Sequence, residues 1–428
     1  MKQFLPPLSA SAVTVLLLLA PVLATAQPAL TWDQVKARFE AANPALKTDA
    51  DNVDELRAQE ITAFLRPNPQ FTATVDGTEI APNDGHWIPL SGTFVEPNFS
   101  YLHERDHKRE LRRDSARLGT RVGESEHEDL KRNLEFALRA AFVSTLQAKE
   151  VLRLAKADLD YYDQIIEISR NRLRTGDIAK IDFDRIELLR VQYESEVQTA
   201  LVNLRTAKIQ LLQLLDDRTP VEQFDVAGLF DFSESLPPLE EFRRTALDAR
   251  PDLQAALQTI EQAQVNHKLA LANGSTDPTF GAWYIWNSAV NNPYPIDMQT
   301  LGLSVNVPLR IFDRNQGEKK RTLIDVVRSR DASETVRAQV FSDVDTAYAL
   351  VESNIVLLKP YKAKYIDEAL RVRDTVTYSY QHGGASLMDF LNAQSDYRIV
   401  QLAYAQLIGS YLTAAGQLNL AVGREVIQ

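Results

Sequence analysis

One stretch of the chain has the spacing of a catalytic motif. His103 and His107 are four residues apart, so on a helix they would share one face and could hold zinc, with Glu104 as the general base of a metallopeptidase. The context is poor, because a run of lysine and arginine follows at 108–113 and no later histidine supplies a metzincin third ligand. We therefore interpret 103–107 as an exposed polar start of a helix, with zinc peptidase as the alternative.

The rest of the chain offers little other chemistry. It has no cysteine, which excludes disulfides, thiolate metal sites and cysteine nucleophiles. Phosphate loops, nucleophile elbows and dinucleotide fingerprints are also missing from the sequence. The formal charge of −11 is unsuited to nucleic-acid binding, which needs a basic surface. These features predict a protein that is not an enzyme, has no cofactor and binds no nucleic acid.

The candidate residues lie in a chain that repeats itself at an offset of 207 residues. Pro44 is matched by Pro251, and Gly176 is matched by Gly383. Two landmarks that keep one offset over more than 130 residues indicate a tandem duplication. The predicted organisation is a signal peptide at 1–26, a first repeat at 27–216, a linker at 217–238 and a second repeat at 239–428.

The first 26 residues have the pattern of a cleaved secretory signal. Lys2 gives a short positive region, 13–20 an apolar core, and Ala24-Thr25-Ala26 a small-residue cleavage site. The apolar run is too short to span a bilayer as a helix, so a membrane anchor is the weaker interpretation. We expect the chain to be exported.

Most of the exported chain is predicted to be helical. Small or apolar residues recur at alternating steps of three and four from Leu134 to Leu173 and again from Val344 to Val376, which favours helices that pack lengthwise on one another. Predicted long helices at 103–174 and 314–381 would each reach on the order of 100 Å. Pro360 should kink the second. The other helices are predicted at 31–65, 182–216, 239–273 and 386–422.

Each repeat also contains two strand candidates. Segments 70–78 and 300–307 alternate apolar with polar residues, and their partners are predicted at 92–101 and 279–288. Such alternation suits the wall of a membrane β-barrel, although a soluble sandwich has the same pattern. Nearby aromatic residues resemble an interfacial belt: Trp87, Trp283, Tyr284, Trp286 and Tyr294. Because four strands cannot close a barrel, other copies must pair with the open edges, and three copies would supply twelve strands.

This order of elements resembles the TolC-like outer membrane efflux proteins over nearly the whole exported chain. The resemblance is carried by Asn43-Pro44, by Arg250-Pro251 and by 380–394, which runs Tyr-Gln-His-Gly-Gly to Ala-Gln. Segment 307–317 is similar to the strand-to-helix junction of the branch that serves heavy-metal pumps. The fold expected from this resemblance is mainly α with a membrane β-barrel portion: a long-helix α-barrel plus four β-strands per chain, assembled as a homotrimer.

The resemblance also implies sites and partners. The two hairpin tips would form the periplasmic mouth and dock an adaptor protein, and the residues assigned to that role are Gly176, Asp177, Tyr380, Gly383, Gly384 and Ser386. Asp182 and Asp389 would narrow the aperture as rings of like charge, although helix capping explains them equally well. Asn392 stands where some relatives carry a carboxylate, which predicts a weaker constriction.

The function expected from the resemblance is a passive exit duct of a tripartite efflux system. It would cross the outer membrane lipid and the periplasm, and an inner-membrane pump would supply the energy. The junction at 307–317 favours metal cations as cargo. An organic-compound pump or a type I protein secretion system remains an alternative, as does a periplasmic coiled-coil spacer, which would leave the strands unexplained.

Overall fold

The computed structural model describes residues 29–427 except 79, 83, 84, 88, 91 and 288–297. The predicted signal at 1–26 and Tyr294 lie outside the described residues. Within them, nine α-helices and one four-stranded sheet confirm the mainly helical fold. The helices are α1 (Trp32–Ala42), α2 (Pro44–Ala63), α3 (Lys108–Thr175), α4 (Lys180–Leu214), α5 (Leu239–Ala249), α6 (Pro251–Ala272), α7 (Gln316–Pro360), α8 (Ile366–Gln381) and α9 (Leu387–Val422).

The prediction of a single opening helix in each half is wrong. Each is broken into two, α1 with α2 and α5 with α6, at the residue before a proline. A proline disfavours helical geometry in the residue before it, and Asn43 and Arg250 both take an extended ψ of 121°. Pro44 and Pro251 then start the second helix of each pair, where their missing N–H costs nothing.

The two residues at these breaks fasten the opening helices to the end of the returning helix. The Asn43 amide donates to the carbonyl of Leu214 at 3.3 Å, and its Oδ1 caps α2 by accepting from the backbone N–H groups of Ala45 and Leu46. Arg250 donates in the same way to the carbonyl of Ala421 at 3.3 Å. Each break therefore satisfies a helix-end carbonyl that would otherwise lack a partner.

Helix α3 is 68 residues long, about 100 Å at the usual rise per residue. It begins at 108 rather than at the predicted 103, because Asp106 and His107 both have positive φ. The corresponding helix of the second half, α7, ends at Pro360, and a π-helical segment, Tyr361–Tyr365, separates it from α8. The predicted irregularity at Pro360 is therefore present. Among the described residues, no helix combines the length and the apolar character needed to cross a membrane.

The sheet has four antiparallel strands in the order β1 (Gln70–Asp76), β2 (Phe94–Leu102), β3 (Thr279–Asn287) and β4 (Met298–Asn306). All four strands were predicted, with ends that differ by a few residues. The strand β1 stops at Asp76 because Gly77 turns the chain with φ 78°. Since β1 and β4 each pair on one side, the sheet has two open edges.

One face of the sheet is apolar and the other is largely polar. Paired residues of antiparallel strands share a face, and the pairs Phe71 with Phe99 and Ala282 with Leu303 lie on the apolar one. Leu303 on this face is 82% exposed in the protomer. Trp283 lies on the polar face and covers Gly302, where a Cβ would lie 2.0 Å from the indole. Tyr284 and Trp286 fit the predicted aromatic belt, but Trp283 does not.

The helices stand side by side in two tiers, with the sheet at one end of the upper tier. Next to the sheet the order is α2, α3, α6, α7, and toward the far end it is α4, α3, α9, α8. The apolar core lies at mid-height, where α1, α5 and the linker 217–238 wrap the long helices. Both tiers have open edges, formed by α2 and α4 on one side and by α7 and α8 on the other.

Candidate channel tips and assembly edges

The motif at 103–107 does not have the geometry of a zinc peptidase. Strand β2 ends at Leu102, and His107 is the left-handed N-cap of α3, so His103 and His107 do not share a helical face. Both carboxylate oxygens of Glu104, the residue that would act as general base, accept hydrogen bonds from the Arg112 guanidinium. Within the described residues, no group of three or more histidine and carboxylate side chains could hold a metal ion.

We expect the double variant His103→Gln with His107→Gln to leave export and folding unchanged. Neither imidazole lies in the core, and the turn at 106–107 depends on backbone conformation. Metal analysis of the purified wild-type protein should find no stoichiometric zinc. Tightly bound zinc, with a peptidase activity that Glu104→Gln abolishes, would restore the enzyme interpretation.

The two hairpin tips end their helices in the same way. Gly176 follows α3 with φ 83°, and Gly383 follows α8 with φ 77°. The next N–H at each tip closes the turn: Asp177 donates to the carbonyl of Arg172, and Gly384 donates to the carbonyl of Ser379, both at 2.8 Å. These are Schellman C-caps, which need a residue that tolerates the left-handed conformation.

The tips pack on each other through a small apolar cluster. Tyr380 of the second tip lies inside this cluster, stacked on Phe390 at 4.9 Å, with the guanidinium of Arg172 from the first tip 5.0 Å from its ring. Arg172 also donates to the carbonyl of Tyr380 at 2.8 Å. Tyr380 therefore joins the two tips from within. The exposed residues of the predicted docking set are Gly176, Asp177, Gly383, Gly384 and Ser386.

The three predicted aperture residues have different surroundings. Asp389 forms a capping box with Ser386, whose hydroxyl donates to the carboxylate at 2.7 Å. Hydrogen bonds from the Ser386 side chain and backbone lower the pKa of Asp389, so it is ionised at neutral pH. Asp182 lies in the first turn of α4 and is half-buried, while Asn392 is exposed on α9. Helix capping is thus present for Asp389, and the tips bring the three side chains to the same end of the molecule.

A polar cluster that the sequence reasoning missed joins the two hairpins above the tips. Arg373 of α8 lies between the rings of Tyr161 and Tyr397, at 4.6 and 4.3 Å. Arg398 of α9 binds Glu196 of α4 at 2.7 Å. Helical periodicity did not reveal these contacts, because each one joins residues of two different helices, and those of Arg373 with Tyr161 and of Arg398 with Glu196 join residues about 200 positions apart. Interleaved arginine and tyrosine on the matching stretches were the only signal.

The open helix edges carry apolar stripes. On α4, exposed residues recur at multiples of seven: Ile181, Leu188, Val202 and Ile209. On α7 and α8 the same spacing relates Leu350, Leu357 and Tyr378, which are also exposed. Seven-residue repeats mark seams between long helices. The protomer therefore presents, on both edges, surfaces suited to another helix.

Comparison with known proteins agrees with this geometry. Residues 243–424 match the family model described as "Outer membrane efflux protein". The cobalt-zinc-cadmium resistance protein CzcC of Cupriavidus metallidurans is 20% identical over 396 residues, which cover 92% of this chain and 90% of CzcC.

Solved structures share the fold. CusC superposes with a TM-score of 0.75 at 17% identity, covering 92% of each chain. The MtrE outer membrane channel of Neisseria gonorrhoeae superposes with a TM-score of 0.72 at 18% identity, covering 92% of this chain and 89% of MtrE. Residues 243–424 therefore carry the match to the outer membrane efflux proteins, and over 92% of its length the chain has the fold of outer membrane channels.

Proposed function

We propose that three copies of this chain close into one continuous duct through which cargo leaves the cell. The carrying observation is that the sheet and both helical tiers are open on the same two sides of the protomer. Because β1 runs antiparallel to β4, the β4 edge of one copy can pair with the β1 edge of the next in the usual antiparallel manner. A heterologous contact of this kind forms a ring when the rotation closes.

The sheet faces fit this assembly. Three copies of four strands give a twelve-stranded barrel, within the range of outer-membrane barrels. The apolar face, with Phe71, Phe99 and Leu303, would contact lipid, and the polar face would line the pore. Exposed apolar surface of this extent is costly in water and favourable in a bilayer. The duct has no machinery for energy conversion in this proposal, so an inner-membrane pump must drive export.

The assembly is tested by native mass spectrometry of the detergent-solubilised protein and by conductance in planar bilayers. We expect trimers and discrete channel openings. A monodisperse monomer that stays folded without detergent would overturn the duct and would favour a periplasmic spacer.

We further propose that the two halves are repeats, 27–216 and 239–428, joined by 217–238. In support, α1 and α5 begin 207 residues apart, and so do α2 and α6. The contacts from Asn43 to Leu214 and from Arg250 to Ala421 keep the same offset. Two pseudo-equivalent halves would give the trimer approximate sixfold character, with each half supplying two strands.

Divalent metal cations are the cargo that we propose. CzcC carries cobalt, zinc and cadmium in its name and aligns over nearly the full length, and the net charge of −11 favours cations. Deletion of the gene should sensitise the native host to these metals, and plasmid expression should restore resistance. Unchanged metal tolerance together with sensitivity to organic dyes would shift the cargo to organic compounds, and loss of a secreted protein would indicate type I secretion.

The hairpin tips are proposed to dock a periplasmic adaptor protein. We expect Gly383→Val to reduce efflux and adaptor cross-linking while trimers persist. No atom lies within 4 Å of a Cβ at this position, so the effect would come from backbone strain of about 1–3 kcal/mol at φ 77°. Gly384→Ala, in the same proposed docking surface, separates this strain from the mere addition of a methyl group, because its Cβ would contact Ser379 O at an ordinary 3.5 Å. Full efflux in Gly383→Val would remove the docking role.

Asp182 and Asp389 are proposed to surround the aperture, with Asn392 leaving it partly relaxed. Threefold symmetry would turn each aspartate into a ring of negative charge that attracts cations. We expect Asp182→Asn with Asp389→Asn to lower cation selectivity in planar bilayers. Selectivity equal to wild type would leave Asp389 as a helix cap and Asp182 without a role in conduction.

A further inference from the structure

The loop between β4 and α7 exposes apolar side chains without a local reason to do so. Leu309 is 79% exposed, Ile311 is 61% exposed and Phe312 is 89% exposed. The three lie within four residues, at the level where the sheet meets the helices. A patch of this kind on a folded protein usually marks a contact surface.

The loop is held in shape by its own hydrogen bonds. The carboxylate of Asp313 accepts from the N–H of Asn315 at 2.8 Å, and Gln316 donates to the carbonyl of Phe312 at 3.1 Å. Asn315 has φ 60° and donates to the carbonyl of Ala270 at 2.7 Å, which fastens the loop to α6. The exposed Phe312 is therefore presented by an ordered turn, so little conformational entropy opposes its burial in a contact.

The opposite edge of the protomer carries a matching patch at the same level. Where α2 leads to β1, Ile61 is 69% exposed and Leu65 is 59% exposed, beside the half-exposed ring of Phe64. This patch is also fixed in place. Arg109 and Arg113 lie over the Phe64 ring at 4.3 and 4.9 Å, and Arg112 donates to the carbonyls of Ala63 and Leu65.

We propose that the loop 309–313 of one copy inserts between α2 and β1 of the next copy and locks the barrel to the helical tunnel. This inference rests on the proposed trimer. In that ring β4 lies beside the next β1 and α7 beside the next α2, so the connection 307–315 faces the connection 64–69 of its neighbour. The partner is a second copy of this chain, since the loop and its matching patch lie on continuous edges of one assembly.

One charge contact can form between the two patches: Arg310 and Arg314 make the loop cationic overall, and Asp313 between them is its one acidic residue. Asp313 has no ion pair among the described residues and follows directly after Phe312. The receiving patch is flanked by Arg66, which also has no ion pair within the described part of the chain, whereas Arg109, Arg112 and Arg113 of α3 pair with carboxylates of their own protomer. Insertion would bring the Asp313 carboxylate toward Arg66, and this contact would set the orientation of the loop.

The chain has no cysteine, so paired cysteines can be read without background. We expect Leu65→Cys with Phe312→Cys, in one chain and treated with a short bismaleimide, to give covalent dimers and trimers on denaturing gels, while each single variant stays monomeric. The matched control is Leu229→Cys with Phe312→Cys, because Leu229 is 89% exposed but lies in the linker at mid-height. It should give no ladder.

A second variant tests the energetic role. Phe312→Asp should weaken trimer association on the order of 100-fold, the scale expected for losing a large apolar side chain from a packed contact, whereas Leu229→Asp should not. Two results together would overturn the interlock while leaving the proposed duct intact. The Leu65→Cys with Phe312→Cys variant would form native trimers but give no cross-linked product, and Phe312→Asp trimers would be as stable as wild type. Absence of trimers in the wild-type protein would instead overturn the proposed assembly.

Discussion

Glutamate at Leu188 and Val202 of α4 should abolish efflux. Their side chains are 73% and 61% exposed in the protomer, so a free protomer would tolerate the changes. Glutamate is also a good helix former, and α4 should stay folded. In the proposed ring, however, both side chains are buried against α7 and α8 of the next copy. Losing two buried aliphatic side chains costs about 3–6 kcal/mol per interface, before the penalty for burying charge.

The measurement is the oligomeric state in detergent together with metal resistance in cells. We expect monomers of native-like helix content and a sensitive strain. Leu229→Glu is the matched control, since it places the same charge at an equally exposed apolar site away from the edges. Wild-type trimers in the double variant would mean that the α4 stripe does not form the interface.

The second large effect is expected from Arg250→Ala, which should destabilise the fold by about 3–5 kcal/mol. The guanidinium side chain is only 4% exposed and binds Asp252 and Asp343, at 2.5 and 2.8 Å. Its removal leaves Asp343 without an ion pair among the described residues, leaves Asp252 only Arg132 at 3.8 Å, and frees the Ala421 carbonyl at the end of α9. Thermal unfolding in detergent should show the loss, and Arg250→Lys should recover only part of it because an ammonium lacks the planar fork.

The equivalent position of the first half supplies a comparison. Asn43→Ala removes a helix cap without stranding a charge, so a cost of about 1 kcal/mol is expected. Equal effects of the two substitutions would show that the ion pairs around Arg250 contribute nothing beyond capping.

The loss caused by Arg250→Ala should depend on pH with a definite sign. Burial alone would raise the pKa of Asp252, but hydrogen bonds and charge from Arg250 outweigh it and lower the pKa below the ordinary 3.8. A group whose pKa is lowered by folding adds stability above its unfolded pKa and loses it as pH falls through the folded value. Wild type and variant should therefore differ fully at neutral pH and converge only in strong acid.

The motif at 103–107 shows why spacing alone is a weak guide to chemistry. The letters of a zinc site are present, but the strand β2 ends at Leu102 and α3 starts at Lys108, so the histidines never share a helix. The positive φ angles of Asp106 and His107 cannot be predicted from sequence periodicity, because they depend on how the strand and the helix are joined.

The sequence alone determined the order and type of the elements. Seven-residue and two-residue periodicities depend on side-chain polarity along one segment, so the long helices, the four strands and the Gly176 and Gly383 turns could be predicted locally. The helix breaks before Pro44 and Pro251 also have a local cause, the effect of a proline on the residue before it, although one continuous helix was predicted from the sequence at each place.

The tertiary structure decided what lies beside what. That Tyr380 is inside the tip and not on it, that Arg373 joins Tyr161 to Tyr397, and that Arg250 reaches Asp343 all depend on contacts between residues far apart in the chain. The two open edges of the protomer also could not be predicted, because the residue pattern of a strand does not reveal which strands lie beside it. Only the order β1-β2-β3-β4 and the helix order show that the exposed apolar surfaces fall on opposite sides of one protomer, where a second copy can cover them.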